Sequence, residues 1–336
     1  MLINPSYILF LTTLISSTLI SISSSSWMGV WMGLEINLLS FIPLMTQFNK
    51  FTAEAALKYF LIQALASSLL LMFIILMLMQ IIEMNHTPII YTELALSISL
   101  FIKMGAAPFH FWFPNVMEGL NWMSSAILMT WQKIAPIMII SYLYNMTYVF
   151  IMIISLSVII GAISGLNQTS LRKIMAFSSI SHLGWMLSAV MINNSALMMY
   201  FSFYSFLSIL LIFMFNQFKL NHINQIFNSH NYNNTMKLIF FTNLLSLGGL
   251  PPFLGFAPKW MLIQLLTTSH FYMLILIMIM FNLVTLYFYL RLTYSALIIT
   301  NNEFKWMNYN YYNIKPLTYL TLLSIMGLMF TPMLLI

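Results

Sequence analysis

Long apolar runs alternate with short polar connections along the whole chain. Each run is about 20 residues, enough for an α-helix to cross a hydrocarbon layer of ~30 Å. Eleven such spans are predicted, near 5–23, 26–48, 54–82, 89–107, 122–144, 148–166, 171–192, 195–217, 236–268, 271–298 and 315–335. Short segments of strictly alternating polarity, the mark of a membrane barrel, are absent. Two spans are irregular. The fourth ends in Gly105-Ala106-Ala107-Pro108, inside "FIKMGAAPFHFW". The ninth contains "GGLPPFLGFAPKW", Gly248 to Trp260, whose three glycines and three prolines cannot continue one regular helix.

The broken spans lie five positions apart, and five is odd. Two five-helix units would therefore run in opposite directions, an arrangement that places a site near the membrane midplane. The expected fold is all-α and polytopic: about eleven transmembrane helices, two inverted five-helix repeats each with a discontinuous helix, and one C-terminal helix. One membrane domain would fill residues 1–336, with units over 1–144 and 148–298 and a final helix over 315–335.

Basic residues set the expected orientation. Lys50, Arg172, Lys173, Lys219, Lys237, Lys305 and Lys315 follow even-numbered spans, whereas the connections after odd-numbered spans carry Glu83 and no Lys or Arg. The even ends and the N-terminus should then face the side of synthesis.

Composition narrows the class. Only 5% of the 336 residues are charged, against roughly a quarter in soluble domains. The net charge of +6 is scattered and forms no phosphate-tracking stripe, so nucleic acid is not an expected partner. With no Cys, this chain has no thiolate for a disulfide, zinc site or iron–sulfur cluster. It has neither GxGxxG nor GxxxxGK[ST]. The first residues, "MLINPSYILFLTTLISS", enter an apolar run directly, without a basic leader. The bias toward Met and Phe, 30 and 28 residues, hints at translation inside an organelle.

Four ionisable residues stand deep in spans: Glu35, Lys103, Lys133 and Lys259. The first three lie about 10–14 residues from a span end, or roughly 15–21 Å at 1.5 Å per residue, near the midplane. Each buried charge costs at least ~2.5–3.5 kcal/mol on insertion scales. A Glu–Lys pair gluing two helices would account for two of them. Three lysines against one glutamate leave a surplus that must be hydrated or must shed protons readily through desolvation and mutual repulsion. That property suits proton movement. Broken helices expose backbone polar groups, tolerated at this depth only where protein or water covers them, so the breaks can hydrate Lys103 and Lys259.

In the seventh span Ser178, His182, Trp185 and Ser188 share a face. His182 reads either as a proton relay or as a helix-contact histidine. His110 and Glu118 are expected at a solvated interface, Glu54 and Lys58 as an interfacial ion pair, and Trp27, Trp112, Trp122, Trp260 and Trp306 as an aromatic belt.

Five segments in order, "WMGLEINLLSFIPL", "FIKMGAAPFHFW", "TWQKIAP", "SSISHLGWM" and "GGLPPFLGFAPKW", give a resemblance over nearly the whole chain. The sequence resembles the antiporter-like membrane subunits of NADH:ubiquinone oxidoreductase, respiratory complex I, which are related to Mrp-type sodium/proton antiporters. The resemblance implies proton translocation coupled to electron transfer, with Glu35 and Lys103 as the family's pair, Lys133 as its central lysine and Lys259 as its second-half lysine. Larger relatives have fourteen helices, so three N-terminal ones are expected to be missing. It further implies that NADH, FMN, iron–sulfur clusters and ubiquinone are bound by other subunits. This chain would hold no cofactor or metal, and would lie in the mitochondrial inner membrane against other membrane-arm chains with its N-terminus in the matrix. A self-standing antiporter or a passive scaffold remains open on the residues alone.

Overall fold

The structure, a computed structural model, describes residues 5–46, 49–82, 89–143, 147–227 and 234–298, with Thr321 and Ser324. The span expected over 315–335 otherwise lies outside the described residues, as do Glu83, Lys305 and Lys315. Fourteen helices are described, and the only bridge among the described residues joins Ser170 to His222. They are α1 (Pro5–Ser23), α2 (Trp27–Met45), α3 (Lys50–Ile82), α4 (Ile89–Met104), α5 (Trp112–Gly119), α6 (Trp122–Met129), α7 (Trp131–Ile140), α8 (Thr147–Gly165), α9 (Leu171–Ile192), α10 (Asn194–Gln217), α11 (Ile223–Phe227), α12 (Asn234–Gly248), α13 (Phe256–Thr268) and α14 (Tyr272–Ile298).

Eight stretches of described helix are long and apolar enough to cross a membrane, so the expected eleven are met only in part. Much of the shortfall lies where the breaks were expected. Splitting the fourth span leaves α4 with 16 residues and splitting the ninth leaves α12 with 15, both below the length a straight crossing needs. The fifth expected span also divides, at Thr130. Pro136 can donate no hydrogen bond to the Gln132 carbonyl and crowds the preceding turn, while the Thr130 hydroxyl donates back to Ala126 at 2.8 Å.

The chain divides into two compact units, residues 1–153 and 154–336. In the first, α3 packs against α2 and against both pieces of the broken helix, α4 and α5, while α1 and α4 cover α7. In the second, α10 packs against α9 and both pieces α12 and α13, and α14 rests on α9, α12 and α13. Within the second unit the Leu254 N–H donates to the Ser324 carbonyl at 3.1 Å, and the Ser324 hydroxyl to Asn243 Oδ1 at 2.8 Å.

The two units repeat one another in register. Features of the first recur 144 positions later: the starts of α2 and α9 at 27 and 171, of α3 and α10 at 50 and 194, and of α5 and α13 at 112 and 256. The ends of α4 and α12, at 104 and 248, keep the same interval. So do the left-handed glycines, Gly105 (φ 73°) and Gly249 (φ 83°), and the cis prolines, Pro108 and Pro252. The hydrogen bonds match too. Gly105 N–H donates to Ile102 and Ala106 N–H to Phe101, and Gly249 N–H donates to Ser246 and Leu250 N–H to Leu245. Each set closes a helix C-terminus through a glycine that alone adopts positive φ at little cost. Apolar residues interchange freely in lipid, whereas a left-handed turn favours glycine.

Candidate functional site

In the first unit, α2 carries Glu35, α4 carries Lys103 one residue before its end, and α7 carries Lys133. Lys103 and Lys133 are buried, at 7% and 2% exposure. Glu35 lies within electrostatic reach of Lys103, yet among the described residues the two form no ion pair. The expected pairing is thus looser than a salt bridge. Glu35 Oε2 is buried and accepts no hydrogen bond from the described protein groups. Lys133 Nζ lies 5.0 Å from the centroid of Phe113, at the start of α5, where the ring face attracts the cation.

Neutral polar groups frame these charges. Asn37 and Gln132 form a reciprocal amide pair: Asn37 Nδ2 donates to Gln132 Oε1 at 3.0 Å and Gln132 Nε2 to Asn37 Oδ1 at 3.2 Å. Asn37 follows Glu35 by two residues and Gln132 precedes Lys133 by one, so the pair fixes α2 against α7 beside both charges. The orphan carbonyls at the end of α4 are also satisfied. Trp112 Nε1 donates to Ile102 at 3.1 Å, and Gln63 Nε2 to the Lys103 carbonyl at 3.1 Å. This work takes Trp112 out of the expected aromatic belt and buries it at 6%; Trp122 is buried too, while Trp260 is 44% exposed. His110, expected to be solvated, is only 6% exposed and rests on Phe111. Glu118 is exposed, and the Glu54–Lys58 ion pair forms at 2.6 Å on the surface.

In the second unit Lys259, at 4% exposure, stands in the first turn of α13. Its Nζ donates to the Gly248 carbonyl at 2.9 Å and to Asn282 Oδ1 at 2.5 Å. It also lies 5.9 Å from the Trp185 ring. Gly248 ends α12, whose carbonyl end is the negative pole of that half-helix. The break therefore supplies a backbone acceptor for Lys259 directly, where the sequence suggested hydration, and α14 supplies the second acceptor.

His182 lies on α9, most of whose residues are buried. Its Nδ1 meets the Tyr200 hydroxyl at 2.8 Å, and its ring lies 5.1 Å from that of Tyr204. Tyr200 in turn stacks parallel to Trp185, the ring beside Lys259. The serines expected to share the His182 face bond their own helix backbone: Ser178 donates to the Met175 carbonyl and Ser188 to the Trp185 carbonyl. Tyr200, Tyr204, Asn282, Asn37, Gln132 and Gln63 escaped the sequence reading. The only signal available was an isolated amide or phenol within an otherwise apolar span.

A family profile described as "NADH:quinone oxidoreductase/Mrp antiporter, TM" matches residues 24–285, from just before α2 into α14. The chain belongs to this transmembrane family. Among its relatives, a protein of Anopheles gambiae named NADH-ubiquinone oxidoreductase chain 2 is 54% identical over 91% of this chain and 90% of its own length. The protein of that name in Locusta migratoria is 44% identical over 98% and 96%. Among solved structures, a chain of respiratory complex I from Thermus thermophilus superposes with a TM-score of 0.81 at 21% identity, covering 98% of this chain and 80% of that one. A chain of the Mrp complex from Dietzia sp. gives 0.79 at 14%, covering 97% and 75%. These distant structures share the family's fold. Among the described residues no group of three or more His, Cys, Asp or Glu could hold a metal.

Proposed function

We propose that this chain is a proton-translocating membrane-arm subunit of the respiratory NADH:ubiquinone oxidoreductase. Glu35, Lys103, Lys133 and Lys259 carry the protons, with His182 as a possible relay. The observation that carries this reading is chemical. Three lysines are buried inside membrane helices, two of them beside helix breaks of the same register, in a chain only 5% of which is charged. A purely structural role would favour tight ion pairs or apolar replacement. Instead Lys259 rests on neutral acceptors and Glu35 lies beyond ion-pair distance of Lys103, so these groups can change their protons without breaking a salt bridge to one another.

The two registered units, placed at about 1–144 and 148–298, supply one broken-helix site each. Electron transfer, with NADH, FMN, iron–sulfur clusters and ubiquinone, belongs to partner subunits. Other antiporter-like chains of the membrane arm and the lipid of the mitochondrial inner membrane cover the exposed apolar flanks, and the N-terminus faces the matrix. Driving one charge against a potential costs about 2.3 kcal/mol per 100 mV, so the energy must come from those redox partners.

Native isolation from inner membranes tests the reading. The chain should purify with flavin- and iron–sulfur-bearing proteins that oxidise NADH and acidify one side of a sealed vesicle. Recovery of the chain alone, exchanging sodium for protons after reconstitution, would instead mark a self-standing antiporter.

A further inference from the structure

Lys259 has an amide, Asn282, as the nearer of its two acceptors. Asn282 lies ten residues into the 27-residue helix α14, where an amide is costly unless it is satisfied. Its Oδ1 accepts from Lys259 Nζ at 2.5 Å, and the Thr285 hydroxyl stands 3.4 Å from the same oxygen. The other partner of Nζ, the Gly248 carbonyl, can only accept.

We infer that Asn282 holds Lys259 in both of its protonation states, and so lets that lysine give up and regain a proton without leaving its place. The inference rests on Lys259 being a proton carrier. An ammonium offers only N–H donors, and here two of them are met by Asn282 Oδ1 and Gly248 O. When one N–H bond breaks, the proton passes to a water molecule and the electron pair stays on Nζ. The neutral amine keeps an N–H for the Gly248 carbonyl and now carries a lone pair. An asparagine can turn its amide about the last side-chain bond and offer Nδ2–H to that lone pair. An aspartate at the same point could only accept, and its charge would pin the ammonium; a leucine could do neither. The left-handed Gly249 keeps the space open, since a Cβ there would lie 3.0 Å from Nζ.

The test uses the assembled complex, with NADH-driven electron transfer and proton translocation measured together. Asn282→Asp is isosteric and adds an ion pair, so assembly should persist while coupled turnover falls about tenfold or more, the loss expected for one charge-assisted hydrogen bond frozen in place. Asn282→Leu should lose a similar factor. If either variant assembles and pumps at the unmodified rate and ratio, the inference is overturned. If Asn282→Asp fails to assemble, Asn282→Ser decides instead. Its hydroxyl both donates and accepts, so retained pumping supports the inference and loss overturns it. Lys259→Met separates the two levels. Normal pumping in Lys259→Met removes the carrier reading itself, whereas loss there with normal pumping in Asn282→Asp removes only the role of the amide.

Discussion

Replacing Gln132 with Leu should destabilise the first unit and disturb the placement of Lys133, because the side chain completes a closed pair with Asn37. Two hydrogen bonds, at 3.0 and 3.2 Å, are lost together, and the Tyr59 hydroxyl loses its 3.5 Å contact. In water-soluble cores an abandoned buried polar group costs about 1–3 kcal/mol. Between membrane helices each such bond averages ~0.6 kcal/mol and reaches ~1.7, because the separated helices also find polar partners. The membrane figure applies here, so two bonds give roughly 1–3 kcal/mol for the single substitution. Asn37→Leu should cost the same, since it breaks the same pair. The double variant should cost no more than either single one, because the second Leu removes the amide that the first left stranded. The assay is a double-mutant cycle on the thermal unfolding of the purified complex, with coupled pumping measured in parallel. Additive losses in the double variant would refute the reciprocal pair. Unaltered stability in both singles would refute its burial.

Other perturbations have comparably direct outcomes. Gly249→Ala puts a Cβ at φ 83° and 3.0 Å from Lys259 Nζ; it should cost about 1–2 kcal/mol for the left-handed backbone alone and displace the lysine, seen as lower stability with reduced pumping. Tyr200→Phe removes the hydroxyl that meets His182 Nδ1 at 2.8 Å; it should lower stability by about 1–3 kcal/mol, and a His182→Phe background should abolish most of that effect. Lys173, half-exposed at the start of α9, should react with an impermeant amine reagent from the matrix side of inverted inner-membrane vesicles and not from the other face of intact ones.

Much of the fold was legible because membrane helices obey one strong rule of length and polarity. The breaks were legible because Gly105, Gly249 and their following prolines forbid a straight helix in any environment. The deep charges stood out for the same reason, since Lys133 has almost no charged neighbours in sequence. The partners of those charges were not legible. Gln63 reaching the Lys103 carbonyl, Asn282 reaching Lys259 and Tyr200 reaching His182 bridge 40, 23 and 18 positions, and nothing in the local pattern of either span specifies the meeting. The hydroxyls of Ser178 and Ser188 on α9 bond their own backbone three residues back, a local option that face spacing alone does not reveal. The Glu35–Lys103 pairing came from the family resemblance, which names the partners and leaves their distance open.

The central claim is that buried lysines in each unit carry protons. The most direct measurement is the proton-to-electron ratio and coupled turnover of the assembled complex carrying Lys133→Ala, compared with the unsubstituted complex in the same sealed vesicles. Lys133 is 2% exposed and lies over Phe113, so truncating it removes a buried cation from the first unit. The account predicts a complex that assembles, still binds NADH, and loses most of its coupled proton translocation. An assembled Lys133→Ala complex that pumps at the unmodified ratio and rate would contradict it and leave the lysine as packing.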